Sequence, residues 1–301
     1  MRTESPFASF ASVAFAVVVA LVALTACGRS SSTTQDAGAT VAKELPPLRM
    51  SMIPTTDPGK LLRESEPLVA YLKSKLGRDV TLTIPTNYAG VVEALASDQV
   101  DFAYLGGFTY VQASRRSGAI PLVQRDRDQS FHSVFITQTK SPISALPDLK
   151  GHSFAFGDVN STSGHLMPEF FMRRASVDAS VIEKATYTGG HDATALAVAN
   201  GKIDAGALDE AVYERMTKEG KLDSSKVRVF FKTPPFFDYV WAARKGLDES
   251  VREAFTKAFV ALRSPDDTKI LELLQANVYV KADDRSYDPL RQAATEAGLL
   301  R

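Results

Sequence analysis

The chain has 301 residues, with 35 Lys and Arg against 35 Asp and Glu, and 45% of its residues are hydrophobic. This length and apolar content suffice for one large domain or two medium lobes. The balanced charge excludes the diffuse attraction on which general nucleic-acid and anionic-membrane binding depends, so no nucleic-acid partner is expected. One Cys and no Cys/His cluster give neither an internal disulfide nor a structural zinc site.

An uncharged apolar segment, residues 10–26, lies near the start of the chain. It is short for a membrane-spanning helix and typical of the hydrophobic part of a secretory signal peptide. The tetrapeptide LTAC that ends at Cys27 resembles a bacterial lipobox, after which the Cys is diacylated through its sulfur and becomes the mature N-terminus. We therefore predict a signal peptide at 1–26 and a lipid-anchored, extracytoplasmic protein. The alternative is an uncleaved signal anchor with an incidental Cys, which also places the body outside the cytoplasm.

Residues 27–46 are rich in Ser, Thr, Gly and Ala and lack hydrophobic periodicity. This composition is typical of a flexible tether. A chain of this length has a root-mean-square reach on the order of 25 Å, so the globular body is expected to stand off the membrane.

The body of the chain alternates strand and helix patterns. Short apolar or alternating segments predict strands at 48–53, 80–84, 101–105, 131–137, 153–156, 184–189, 204–208, 227–231 and 239–244. Helical spacing predicts helices around 61–72, from Asn87 onward, and at 163–175 and 191–199, with only helical patterns after 244. This alternation predicts an α/β fold with mostly parallel sheets.

The order of these elements predicts two lobes, formed by residues 47–130 plus 240–301 and by residues 131–239. The chain crosses between them near 125–140 and 232–245, and the C-terminal helical block packs on the first lobe. Because ligands of open α/β sheets bind beyond the carboxyl ends of strands, the loops after the strands are the candidate site.

The segment GDVNSTSG, residues 157–164, follows one predicted strand and leads directly into a helix. Three successive hydroxyls at a helix start combine Oγ donors with free backbone N–H groups and the positive end of the helix dipole. This geometry suits a small tetrahedral oxyanion. The alternative is a simple helix N-cap in a Ser-rich turn.

Further segments extend this pattern along the chain: MIPTTDPGKL, NYAGVVEALASDQVDFAYLGG, GDVNSTSGHLMPEFF, TYTGGHDATALAVANGKIDAGALDE and TPPFFDYVW. In this order they resemble the phosphonate/phosphite/phosphate-binding proteins of ABC importers, the PhnD-like family, closely over residues 47–245. The resemblance implies a monomeric, cofactor-free, type II-like periplasmic binding protein that closes on its ligand. It further implies a small phosphorus oxyanion as ligand (phosphite, methylphosphonate, 2-aminoethylphosphonate or phosphate) and an ABC permease with its ATPase as partners.

The resemblance also implies which residues bind the ligand: Ser161, Thr162, Ser163, Tyr88, His191, Asp209 and Asp238. In the family the STSG segment grips the phosphonate oxygens, while the tyrosine hydroxyl and the imidazole donate to them. For His191 the alternative is a surface histidine at a helix start. This chain departs from the family at Phe131, where many members have Tyr, so only shape and apolar contact remain there. Thr55 and Thr56 offer further hydroxyl contacts or form a polar turn.

Two carboxylates near an anion repel it unless the ligand supplies a proton or a cation. A P–OH group or an ammonium tail meets this requirement, and Phe131 favours a compact ligand such as phosphite or methylphosphonate.

Two other functions remain open on the sequence alone. One is a periplasmic hydrolase that uses Ser, His and Asp, although GxSxG, HExxH, P-loop and GxGxxG motifs do not occur. The other is a ligand-presenting component of a phosphorus-sensing system, which would need a partner because the sequence shows no signalling domain.

Overall fold

In a computed structural model of the chain, the described residues are 45–178 and 180–300. The predicted signal peptide, Cys27 and residues 27–44 of the predicted tether lie outside them. Within the described ranges, no helix combines the length and the apolar character needed to cross a bilayer.

The described residues form two β-sheets with helices packed against them. The strands are β1 (Leu48–Met52), β2 (Val80–Thr83), β3 (Phe102–Leu105), β4 (Ile120–Arg125), β5 (Ser133–Gln138), β6 (Ser153–Phe156), β7 (Lys184–Tyr187), β8 (Ala205–Asp209), β9 (Val227–Lys232), β10 (Val240–Ala243) and β11 (Tyr279–Lys281). The first sheet has the order β11-β4-β10-β3-β1-β2, and the second has the order β7-β6-β8-β5-β9. The chain thus passes to the second sheet after β4 and returns before β10.

The helices are α1 (Pro58–Glu64), α2 (Glu66–Leu76), α3 (Tyr88–Ala96), α4 (Gly107–Ser117), α5 (Met167–Arg174), α6 (His191–Ala199), α7 (Glu210–Lys218), α8 (Glu249–Val260), α9 (Thr268–Leu274) and α10 (Asp288–Glu296). The predicted helix around 61–72 is two helices, because Pro67 has no N–H to continue the hydrogen-bond ladder. The predicted helix over 163–175 begins as a π-helical turn, Thr162–Leu166, before α5.

The expectation of mostly parallel sheets is wrong. The pairs β1-β2, β1-β3, β6-β7 and β6-β8 are parallel, whereas β10 and β5 run antiparallel to their neighbours. β5 and β10 are each the first strand that the chain forms after it crosses from one sheet to the other. Their direction therefore depends on the crossing and not on a local helix connection. The expectation of helices alone after residue 244 is also wrong, because β11 pairs with β4.

The C-terminal helices pack on the first sheet, as predicted. Phe255 of α8 stacks on Phe102 of β3 with ring centroids 3.8 Å apart. The Tyr71 hydroxyl of α2 donates to the Ala258 carbonyl over 2.7 Å. This contact joins elements 187 residues apart in sequence.

The two chain crossings are hydrogen-bonded to each other. The N–H of Phe131 donates to the Phe236 carbonyl over 2.8 Å, and the reverse bond is 2.9 Å long. Beside them, buried Arg125 and Asp128 form an ion pair with Nη2 and Oδ1 2.6 Å apart. The Asp128 carbonyl accepts the N–H of Asp238 over 3.1 Å. The ion pair and the crossings together fix the backbone position of Asp238.

Candidate functional site

The segments that follow β2, β6 and β7, the end of β8 and the second crossing bring most of the predicted ligand residues together. The following side chains lie in one buried cluster: Tyr88, Ser161, Thr162, Ser163, His191, Asp209 and Asp238. Each is at most 2% exposed. The cluster joins residues carried by both sheets.

The hydroxyl turn is held by its own backbone. Ser161 caps the turn, since its Oγ accepts the N–H of Gly164 over 3.0 Å. The N–H of Gly157 donates to the Gly164 carbonyl over 2.8 Å, which closes the turn onto the end of β6. Ser161 is therefore a helix N-cap, as the alternative interpretation held, because its Oγ accepts a backbone N–H of the turn. Because a hydroxyl also donates, the O–H of Ser161 remains for another partner.

The next two hydroxyls have different surroundings. Thr162 Oγ1 accepts the N–H of Phe108 over 2.9 Å and thereby contacts the first turn of α4. Ser163 Oγ is buried and has no hydrogen-bond partner among the described residues. A buried hydroxyl without a partner is unfavourable, so Ser163 is suited to donate to a bound oxyanion.

Tyr88 and His191 place two neutral donors beside the turn. The Tyr88 hydroxyl lies 3.4 Å from Nε2 of His191, and Nδ1 of His191 accepts the N–H of Asp209 over 3.2 Å. Nδ1 therefore carries no proton, and the neutral ring has its proton on Nε2. Burial lowers the pKa of His191, against the opposing charge of Asp209, and keeps the ring neutral. Burial also raises the pKa of Tyr88 well above its usual range, so the phenol stays protonated.

His191 is fully buried, so the surface-histidine alternative is wrong.

Asp238 lies near the hydroxyl turn, and one of its two carboxylate oxygens accepts a backbone hydrogen bond. Its Oδ1 accepts the N–H of Gly107 over 2.9 Å. Its Oδ2 is buried without a partner in the described part of the chain. Burial, reinforced by the charges of Asp128 and Asp209, raises the pKa of Asp238 to about 7, although the Gly107 N–H and the Thr162 hydroxyl oppose this shift. Asp238 thus holds or releases a proton near neutral pH.

Asp209 has both oxygens in use. Its Oδ1 caps α7 by accepting the N–H of Val212 over 3.0 Å, and its Oδ2 accepts the Tyr239 hydroxyl over 2.7 Å. The side chain therefore acts on the cluster mainly through its negative charge.

The sequence reasoning missed two contributors. Oδ2 of Asp158 accepts the N–H of Tyr88 over 3.3 Å, which links the first turn of α3 to the loop after β6. The first N–H groups of α4, at Gly107 and Phe108, reach Asp238 and Thr162. The sequence signal was the Gly-Gly pair after β3, which allows the close approach: a Cβ at Gly106 would lie 3.0 Å from Thr162 Oγ1.

A further bond joins the same two elements. Nε2 of Gln112, on α4, donates to Oδ1 of Asn160 over 3.0 Å. Together with the bond between Phe108 and Thr162, it links the two sheets directly.

Two candidates lie at the edge of the cluster. The ring of Phe131 packs edge-on against Tyr239 at 5.6 Å and against Phe236 at 6.2 Å. The carbonyl of Thr55 accepts the N–H of His191 over 3.2 Å, and the side chain of Thr56 is half-buried. A ligand role for Phe131 and Thr56 stays a prediction.

The cluster combines neutral donors with the carboxylates of Asp158, Asp209 and Asp238. This arrangement suits an oxyanion that brings a proton to a carboxylate. The geometry differs from that of a hydrolytic triad, because Nδ1 of His191 accepts from a backbone N–H and does not donate to a carboxylate.

Gly164→Ala is expected to weaken ligand binding at least about tenfold and to lower Tm by several degrees. A Cβ at this position would lie 2.9 Å from both His191 Cε1 and Ser161 Oγ, so the turn and the imidazole would move apart. Gly59→Ala is the control, because the nearest atom to its Cβ would be 3.5 Å away. Calorimetry and thermal unfolding measure both effects. Equal affinities of the two variants would contradict this expectation.

Comparison with known proteins gives consistent matches over most of the chain. The model of the family described as "ABC transporter, phosphonate, periplasmic substrate-binding protein" matches residues 50–287. The probable ABC transporter phosphite-binding protein PhnD1 of Prochlorococcus marinus is 29% identical over 269 residues, which cover 84% of this chain and 91% of that protein. The phosphate-import protein PhnD of Mycolicibacterium smegmatis is 30% identical over 259 residues, which cover 81% of this chain and 80% of that protein.

A solved structure shows the same fold. PhnD1 of Prochlorococcus marinus in complex with methylphosphonate superposes with a TM-score of 0.80 at 29% identity. The match covers 84% of this chain and 98% of that one.

Proposed function

Because the chain belongs to the family of periplasmic substrate-binding proteins of phosphonate ABC transporters, we propose that it captures a small phosphorus oxyanion between two lobes and delivers it to its permease and ATPase. The chain has the two-lobed α/β fold of these proteins. The sheet membership of the strands supports residues 47–130 plus 240–301 as one lobe and residues 131–239 as the other.

The observation that carries the proposal is a pair of buried polar atoms, of which one can donate a hydrogen bond and the other can accept one. Ser163 Oγ offers a donor, and Asp238 Oδ2 offers an acceptor, and neither has a partner among the described residues. The O–H groups of Ser161 and Tyr88 and the Nε2–H of His191 add donors for the other oxygens. The ligand that satisfies this set accepts several hydrogen bonds and donates one.

A phosphorus oxyanion with a P–OH group has this combination. Its unprotonated oxygens accept from the hydroxyl turn, and its P–OH donates to Asp238. Phosphite and methylphosphonate are the ligands we favour, since Phe131 offers only an apolar ring where many family members have a phenol hydroxyl. An ammonium tail, as in 2-aminoethylphosphonate, would satisfy a carboxylate in another way.

Isothermal titration calorimetry tests this function with phosphite, methylphosphonate, 2-aminoethylphosphonate, phosphate and sulfate. We expect the tightest binding for phosphite or methylphosphonate and the weakest for sulfate, which has neither a proton nor a cation at neutral pH. Recovery of the ligands unchanged after long incubation is expected of a binding protein. Failure to bind any of the phosphorus compounds would overturn the proposal.

Lipid anchorage at Cys27 is part of the proposal and rests on the LTAC segment. Cys27→Ser is expected to release the protein from the membrane fraction or to mislocalise it. Intact mass of the natively expressed protein should show loss of residues 1–26 and the added lipid. Recovery of an unmodified Met1 form in the membrane would contradict anchorage.

Deletion of residues 29–43 is expected to leave ligand affinity within about twofold of the full chain, because their Ser-, Thr-, Gly- and Ala-rich composition predicts a tether that buries little surface. Calorimetry on the two proteins measures this. A larger loss of affinity would show that the segment takes part in binding.

A further inference from the structure

His165 lies in the same π-helical turn as Thr162 and Ser163, and its imidazole is only 1% exposed. Its Nδ1 lies 2.6 Å from the Val159 carbonyl oxygen. Its Nε2 lies 2.9 Å from the Tyr187 hydroxyl and 3.0 Å from Oε2 of Glu169. The ring therefore ties the ligand turn to β7 and to α5.

Two of these partners only accept hydrogen bonds. The Val159 carbonyl is one, and the ionised Glu169 carboxylate is the other. Glu169 is held ionised, since hydrogen bonds from His165 and Arg173 lower its pKa. Arg173 donates to Oε1 of Glu169 over 2.8 Å. To satisfy both acceptors, His165 must carry a proton on each ring nitrogen.

Loss of the second proton changes the partner of Nε2. With Nδ1 still donating to Val159, Nε2 becomes an acceptor that repels the Glu169 carboxylate. The Tyr187 hydroxyl then becomes its donor, and burial raises the pKa of that phenol so that it stays protonated. Glu169 and Tyr187 therefore compete for one ring atom, and protonation selects between them.

We propose that His165 is a positioning residue of the ligand site, whose doubly protonated ring holds the turn bearing Ser163 against α5, so that affinity depends on the protonation of His165. The inference rests on the proposed function and deepens it. Val159 precedes Asn160, which bonds to Gln112 of α4, so the ring also holds the part of the turn that contacts the other sheet.

The test compares variants with the wild type at each pH. The charged and titratable groups that face His165 are Glu169 and, through it, Arg173 on α5, together with Tyr187 on β7. Asp238 and the ligand also titrate, but they do so in every variant. The ratio of variant Kd to wild-type Kd therefore isolates the contribution of His165.

Calorimetry with methylphosphonate is carried out at about pH 5.5, which favours the doubly protonated ring, and at about pH 8.5, which favours the ring with one proton. Glu169→Gln is expected to raise Kd about fivefold at the lower pH and less than about twofold at the higher pH. Tyr187→Phe is the matched variant and should show the reverse pattern. His165→Asn keeps an N–H donor for Val159 but has no imidazole, so the ratio of its Kd to the Kd of Glu169→Gln should be the same at both pH values.

If the ratio of variant Kd to wild-type Kd is the same at both pH values for Glu169→Gln and also for Tyr187→Phe, this inference is wrong. The proposed function would not be affected by that result. A change in Tm alone, with Kd equal to that of the wild type, would likewise reduce His165 to a structural role. If the wild type bound no phosphorus oxyanion at all, the proposed function and this inference would fall together.

Discussion

We expect Ser163→Ala to weaken binding of the preferred phosphorus oxyanion about ten- to a hundredfold. This expectation follows from the hydroxyl of Ser163, which is buried without a partner among the described residues and belongs to the turn that is proposed to bind the ligand. A hydrogen bond to a charged group contributes about 1.5–3 kcal/mol, which corresponds to that loss of affinity. Calorimetry on the purified variant measures the effect.

Thr186→Val is the matched control, because Thr186 carries another buried hydroxyl without a partner in the described structure, on β7 of the same sheet. It is expected to leave Kd within about twofold of the wild type. A loss of affinity as large as that of Ser163→Ala would show that the effect is not specific to the ligand turn.

Asp238→Asn is expected to change which anions bind and at which pH. If the ligand lies against Asp238 as proposed, one proton is needed between them, and the pKa of Asp238 is raised to about 7. Below this pH the proton resides on Asp238 or on the ligand, whose P–OH is lost at about pH 6 to 7. Above it both are ionised and repel each other, so wild-type affinity falls between about pH 6 and 9. The Asn variant removes the repulsion and should admit sulfate.

Calorimetry from pH 6 to 9 with phosphite, methylphosphonate, 2-aminoethylphosphonate and sulfate measures both effects. Asp204→Asn is the control, since Asp204 bonds to Ser153 at the far end of β6. A flat pH profile with 2-aminoethylphosphonate as the tightest ligand would show that the carboxylates hold an ammonium group. In that case Asp238→Asn would abolish only the preference for this ligand.

The same substitution has an expected effect on folding. A carboxyl whose pKa is raised in the folded state binds its proton more tightly there than in the unfolded chain. Stability from this group is therefore present at low pH and is lost as pH rises from about 4 toward 7. At pH 8, Asp238→Asn should stabilise the ligand-free protein by up to a few kcal/mol, and it should have little effect at pH 4. Thermal unfolding at the two pH values measures this difference.

Local signals predicted several elements well. The strand at 153–156 and the helix at 191–199 match the structure at both ends. The strand pattern is short and apolar, and the helix lies between a Gly and an Asn-Gly pair, so neighbouring residues specify both elements. The motif order likewise placed the hydroxyl turn, Tyr88 and His191 in one cluster.

Other features depend on distant parts of the chain. The direction of β10 follows from its return out of the second sheet, which no local pattern encodes. The first turn of α4 contributes backbone N–H groups, and a backbone donor has no residue-type signature beyond the two glycines before it. The raised pKa of Asp238 arises from burial and from the charges of Asp128 and Asp209, which only the folded chain brings near.

The hydrogen bonds of Phe108 to Thr162 and of Gln112 to Asn160 affect both the binding and the dissociation of a ligand. Both bonds join protein groups carried by the two sheets, so they contribute to the free energy of this arrangement independently of any contact with a ligand. An intrinsic bias toward closure raises apparent affinity in proportion to the closed fraction, until that form predominates. The same bias slows dissociation, since opening must break these bonds as well as those to the ligand. Under the proposed function, these bonds would favour capture of a scarce solute, and release to the transporter would require them to break.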